Sequence, residues 1–422
     1  MSHPASAVAS IRWLSIAPWL ILVRAARVSI MLRVLLLAVI GVLLTEAGWW
    51  VVDRVFFDDP VIAPLVRFAD PPIAVPTAAD LDVRAGESVA LQLEAFGGPL
   101  YRGWHWASQP FIQMFRVATW RSWFGLLLDG LWTVAVWALF GGAIARIAAL
   151  YLTQGEAIGP MAALRSAAVR WLSTAGAPLL ALLAIFVVAL PLMLAGLLAW
   201  FNIFALLEAA LWFLALLVGV AIAILAIGLA LGWPLMVSTV ATERTDAFDA
   251  ISRGYAYVYQ RPLHGLFYVL VAGLLGLLVQ AAVTFVVGAS LDATHWAFAA
   301  GAGQPRTDVL LERPIDDDRD SFPSPEELSA RMIRFWNRGL AMFAAAFPLA
   351  YLWPAAVGIY LLQRRNIDST DIAEAKFDEG DPQRGLPPLA DDPTTGVPQV
   401  ATGATGVALP TNRPPGASPP AP

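Results

Sequence analysis

The sequence predicts an all-α polytopic membrane protein, with about six transmembrane helices and two amphipathic surface helices on the cytoplasmic side. Three observations lead there. Of 422 residues, 58% are hydrophobic and 14% charged, where soluble domains carry about a quarter charged residues. Six apolar stretches reach the roughly 20 residues needed to span a bilayer. Arginines gather in the short connections at one end of those stretches, as expected for the side retained in the cytoplasm.

Residues 1–29, with Arg12, Arg24 and Arg27, read as a cytoplasmic amphipathic segment ahead of the first span at 30–52. Leu35 to Leu44 is similar to the apolar core of a signal peptide. The run continues to Val52, however, and "LLTEAGWW" offers no small-x-small cleavage site, so an uncleaved anchor is expected. Residues 53–121 follow as an extracytoplasmic segment. Within it Val89, Leu91 and Leu93 alternate with Ser88, Ala90, Gln92 and Glu94 after "RAGE", which predicts a short strand pair. Phe111, Met114, Phe115 and Ala118 form a helical stripe leading to Trp120 and Trp123, which suit a membrane interface.

A four-helix membrane core is predicted over 122–289, with spans at 125–150, 177–200, 209–232 and 263–289. Surface helices are expected near 160–172 and 247–260. The first opens on Gly-Pro and places Met161, Leu164, Ala168 and Trp171 on one face. The second places Phe248, Ile251, Tyr255 and Val258 on one face and Asp249, Arg253 and Gln260 on another, with Asp246 as N-cap and Pro262 as the stop. Its tyrosines suit the boundary between lipid and water. The four apolar positions recur at an offset of 87 residues, as do Glu156 with Glu243 and Ala163 with Ala250. Residue identity is otherwise poor, so the shared pattern predicts two parallel units without fixing their origin.

Residues 290–338 read as an acidic extracytoplasmic loop, 339–362 as the last span, and 363–422 as a disordered cytoplasmic tail rich in proline and glycine. Arg165, Arg170, Arg244, Arg253, Arg261, Arg364 and Arg365 fall on the same side as the N-terminal arginines. Both termini are therefore expected in the cytoplasm, and the inner (cytoplasmic) membrane is the expected location.

"GWPLM", "FDAISRGYAYVYQRPLHGLFY", "FGGAIARIAALYL" and "IYLLQRRNID" resemble a group of uncharacterised bacterial polytopic membrane proteins, over most of the chain from the second span to residue 380. More remotely, the Ala-rich surface segments and "DAISR" are similar to the membrane domain attached to some glycerophosphoryl diester phosphodiesterases. The resemblance implies a membrane fold and location but no activity. The catalytic half of those enzymes, with its acidic and histidine metal ligands, has no counterpart in the chain.

Absence of cysteine removes disulfides, thiolate metal sites and thiol nucleophiles. Lys376 is the single lysine among 27 scattered basic residues, and no nucleic-acid footprint results. His3, His105, His264 and His295 have no ligand spacing, and no nucleophile elbow or phosphate-binding loop is present. His105 could line a pocket, but a histidine buttressed by Trp104 and Trp106 is expected. Glu46, Asp129 and Glu208 map to the outer ends of spans, with Gln280 and Thr284 in the outer half of another, and intramembrane acids are functional candidates. Pro191, Pro348 and Pro354 are read as ordinary span prolines, and Gly141, Ala145 and Ala149 as a packing stripe. Asp316, Asp318, Asp320 and Glu327 match positions 1, 3, 5 and 12 of a calcium loop, but Ser321 stands where a glycine is needed. Ser324 and Glu327 also make a capping box, which is the preferred reading. No catalytic, cofactor or metal site is thus expected. The expected role is a non-enzymatic scaffold or envelope-associated component in contact with membrane lipids and an unidentified protein partner, or alternatively a permease for a small solute or lipid using the outer acids.

Overall fold

The structure, a computed structural model, describes residues 17–58, 61–62, 85–114, 116, 119–312, 324–372, 389–391 and 398–400, and in 85–97 and the last two segments the backbone alone. The main unit, residues 1–376, is all-α over its described residues. In chain order its principal helices are α1 (Ile21–Ser29), α2 (Leu32–Phe56), α3 (Ala85–Met114), α4 (Trp120–Gln154), α5 (Pro160–Val169), α6 (Trp171–Leu198), α7 (Asn202–Ala210), α8 (Trp212–Glu243), α9 (Ala247–Gln260), α10 (Pro262–Ala302) and α11 (Pro325–Ile367). Six of them, α2, α4, α6, α8, α10 and α11, are long and apolar enough to cross a membrane. The chain is an all-α polytopic membrane protein, as the composition and apolar runs predict.

The helix ends follow local chemistry. Thr119 caps α4 by accepting from the Ser122 amide, and Gly155 ends that helix in the left-handed region that glycine adopts without steric cost. Asp246 caps α9 through the Asp249 amide at 3.0 Å. Ser324 and Glu327 form the reciprocal capping box that opens α11, with Pro325 in its first turn. Asp316, Asp318 and Asp320 lie outside the described residues, but Glu327 is engaged in the cap.

Burial divides the bundle. The most apolar stretch of α4 is 83% buried and that of α11 is 72%, against 6% for α6 and 11% for α8. Helices α4 and α11 therefore form the core, and the α6–α8 hairpin turns apolar side chains outward, as a lipid solvent permits. Small residues let the core helices approach closely. A Cβ on Gly141 would come within 2.6 Å of the Trp353 ring, and Ala145 and Ala149 are fully buried beside it, so the small stripe serves packing. Helix α1, within the predicted amphipathic segment, buries Ile21, Leu22, Ala25 and Val28 and packs against α11.

Two predicted features are corrected. The alternation at 88–94 gives helix, not strands, because "AGESVALQLEAF" is rich in helix-forming Ala, Leu, Glu and Gln. Nor is α3 simply part of an external loop. Gly98 breaks it at φ 52°, ψ −137°, and from Pro99 onward it enters the bundle, burying Leu100, Trp106 and Ala107. Pro99 rests near Gly276 of α10, Gly103 meets the Pro348 carbonyl of α11, and Phe111 covers Gly130 of α4. Backbone that bends at such depth is tolerated where protein surrounds it.

Other boundaries shift outward. Helix α10 runs to Ala302 and α11 starts at Pro325, so most of the described part of 290–338 is helical. Their extensions meet where Asn337 and His295 pair at 2.9 Å. Helix α11 also continues to Ile367, past the predicted start of the tail at 363. Most of the tail lies outside the described residues. Within the second unit, residues 377–422, Leu389–Asp391 and Pro398–Val400 pair antiparallel, Leu389 opposite Val400.

The short helices α5 and α9 occur where predicted, and Leu164, Ile251, Tyr255 and Val258 of the predicted apolar faces rest against the core, but small residues take the fully buried positions. Ala163, Ser166 and Ala167 of α5 and Ala250, Gly254 and Tyr257 of α9 are buried, whereas Met161 and Phe248 are 76% and 71% exposed. Each short helix folds back on the long helix before it, Ala167 reaching Gly142 and Gly254 reaching Gly232. Small side chains win that face because they allow near backbone contact. Ala163 and Ala250 keep the 87-residue offset, and Ala167 with Gly254 extends it. The chain thus contains two units of long helix, back-folded short helix and long helix.

Candidate functional site

Three regions hold chemistry-bearing side chains, and one of them borders a cavity. At the arginine-rich end, Glu243 at the end of α8 accepts from Arg364 and, at 3.3 Å, from the Tyr360 hydroxyl. Arg253 of α9 pairs with Asp249 at 3.2 Å and approaches Glu243 and Asp368 at 3.9 Å each. Tyr257 donates to Asp368, and burial followed by this hydrogen bond raises its phenol well above the ordinary range. Arg24, Arg33 and Arg146 donate to the carbonyls of Tyr151, Ile158 and Ala241 at 2.7 to 2.8 Å. Arginine on carbonyls near helix ends is a tying device. The network joins α8, α9 and α11.

The candidate acids Glu46, Asp129 and Glu208 lie on three different helices, α2, α4 and α7. Asp129 is fully buried on α4, and its carboxyl oxygens have no hydrogen-bond partner among the described residues. Its charged neighbour is Asp53 of α2, a residue that the sequence reading did not select. Glu46 is half-buried on α2. Glu208 belongs to α7, a helix with no buried residue that packs on α6 and α8. Gln280 is buried and donates to Thr284 at 3.1 Å and to the Ala344 carbonyl at 3.2 Å, which makes the pair a tie between α10 and α11. His105 stacks on Tyr101 at 5.6 Å between ring centroids.

The third region is a partly open cavity of about 480 Å³ walled by α3, α4, α6, α8 and α11. It reaches from Ile112 and Arg116 at one end to Thr174 and Val237 at the other, and the rest of its wall is mostly aliphatic and aromatic. Its size lies in the range of small-molecule sites, about 300 to 1,000 Å³. A row of indoles crosses the bundle beside it: Trp49 to Trp106 at 4.7 Å, Trp106 to Trp137 at 6.3 Å, Trp137 to Trp353 at 5.8 Å, and Trp353 to Trp233 at 5.3 Å. Trp137, Trp233 and Trp353 line the cavity, and their Nε1–H groups have no acceptor among the described residues. Trp104, also on the wall, donates instead to the Ala230 carbonyl at 2.7 Å and so ties α3 to α8.

Among the described residues no aspartate or glutamate lines the cavity, and its single ionic residue is Arg116. Sequence reading missed Arg116: at helical spacing it falls away from the apolar stripe of Phe111, Met114, Phe115 and Ala118, where a lone arginine reads as a solvated residue. No family model, curated protein or solved structure matches the chain.

Proposed function

We propose that the protein is a non-enzymatic membrane component that takes up the hydrocarbon chain of a membrane lipid in the cavity between α3, α4, α6 and α8. The observation that carries this reading is the cavity wall: long, mostly apolar, and free of carboxylates. A hydrated solute would lose water there without gaining partners, whereas a hydrocarbon chain exchanges one apolar surrounding for another and gains close contacts. The α6–α8 hairpin that forms one wall is the most outward-facing part of the bundle, which gives a chain a lateral way in from lipid. With the arginine-rich end in the cytoplasm, the Arg116 end would face the outer leaflet. A purely scaffolding role gives no account of the cavity.

The test fills the cavity. Ala226→Phe and Ala230→Phe replace wall methyls with rings, and both should lower the amount of lipid retained by the detergent-purified protein in native mass spectrometry. Unchanged retention, with an unchanged melting temperature, would remove the cavity from the function.

A further inference from the structure

We infer that Arg116 holds the phosphate of that lipid, so that the ligand is a glycerophospholipid with one chain in the cavity. This rests on the chain-binding reading and deepens it. Among the described residues the charge on the wall has one sign: Arg116 is the ionic group there, and no acidic side chain lines the cavity beside it. Its side chain is exposed and makes no hydrogen bond or ion pair among the described residues. Its neighbours are occupied. Arg121 donates to the Val55 carbonyl at 2.8 Å, and Arg54 lies 4.2 Å from the centre of the Trp50 ring. Arg116 is therefore a spare cation at the end of an apolar cavity.

Its depth matches a headgroup. Four residues on, Trp120 is 79% exposed and stacks edge-on with Trp123 at 6.2 Å, a pair suited to the level where headgroups meet hydrocarbon. Guanidinium binds phosphate oxygens through paired, charge-assisted hydrogen bonds, which an ammonium does less well. Two turns deeper on α3, the Ser108 hydroxyl also faces the cavity and can donate to an acceptor on the lipid. The indole N–H groups of Trp137, Trp233 and Trp353, which also line the cavity, are donors as well. An anionic, acceptor-rich head with an apolar chain is the chemistry such a wall complements, while a cationic or headless lipid is not.

The experiment compares two lipids with identical chains, phosphatidylglycerol and diacylglycerol, added to the full-length protein in detergent and counted by native mass spectrometry. The wild type should retain the phosphate-bearing lipid about tenfold better, a difference on the scale of one charge-assisted contact. Arg116→Ala should bring the two lipids to parity, and Arg116→Lys should keep part of the preference. Arg116→Gln, which preserves the length of the side chain, repeats the measurement if the alanine variant melts early. Millimolar glycerol phosphate should not displace the lipid; displacement would mean a site for free phosphate and overturn the lipid assignment. A preference that survives in Arg116→Gln while Ala226→Phe loses both lipids would overturn the phosphate assignment and leave the cavity reading standing. Full retention of both lipids by Ala226→Phe would sink the two together.

Discussion

At the scale of single residues, two ion pairs of similar appearance differ because of where they lie. Arg364 is 2% and Glu243 11% exposed, so the desolvation of each charge is offset chiefly by the other. Arg364→Met would leave Glu243 facing little besides the Tyr360 hydroxyl and the more distant Arg253. We predict a loss of about 3 to 5 kcal/mol for that change, read as a lowered thermal midpoint in detergent. Arg364→Met with Glu243→Gln should recover most of it, since no uncompensated charge remains; failure to recover would show that the pair does more than neutralise itself. Asp249 and Arg253 are each about one third exposed. Their pair should contribute only about 0.3 to 0.5 kcal/mol, and Asp249→Ala should leave expression and melting near those of the wild type. A collapse of expression would mean that Arg253 depends on Asp249 to stay positioned against Glu243 and Asp368.

At the scale of elements, α3 is the test of how the bundle is built. A Cβ on Gly103 would stand 2.6 Å from the Pro348 oxygen, a backbone atom that cannot step aside. Gly103→Ala is therefore expected to destabilise by about 1 to 3 kcal/mol, and to speed cleavage within 85–114 by an added protease. Proteolysis at the wild-type rate would show that α3 is not held by this contact. The same helix marks where sequence reading stops. The six spans were legible because an unbroken apolar run of 20 residues has few other uses. Helix α3 was not, since Gln92, Glu94, Arg102, His105 and Gln109 keep it below any span criterion, and the three alternating residues Val89, Leu91 and Leu93 are too few to separate a strand from a helix. The packing faces of α5 and α9 are only partly legible for a related reason: apolar size picks out Leu164, Ile251, Tyr255 and Val258, which do rest against the core, but not Ala163, Ala250 and Gly254, which close approach selects for full burial. The cavity could not be foreseen at all. Ala138, Pro178, Leu229 and Val237 line it from three helices, and in one dimension each reads as ordinary span.

At the scale of the whole molecule, alternation of the six spans puts the ion network at one end and the joined extensions of α10 and α11 at the other. The lack of cysteine makes this arrangement measurable with single introduced thiols. With the arginine-rich end inside, a cysteine at Asp249 should react with an impermeant maleimide only after cells are opened. One at Gly301, where a Cβ meets nothing within 4 Å, should react in intact spheroplasts. The reverse pattern would turn the Arg116 end of the cavity toward the inner leaflet. The row of indoles from Trp49 to Trp233 has an optical consequence as well. Neighbouring chromophores with centroids 4.7 to 6.3 Å apart and ring planes inclined by 23 to 88° share their excited states, so the fold should carry a coupled circular-dichroism band in the near ultraviolet. Isolated tryptophans at the membrane surface give no such band. The protein is in this sense its own dye: a molecule entering beside Trp137, Trp233 and Trp353 would change the band's shape without any label being attached.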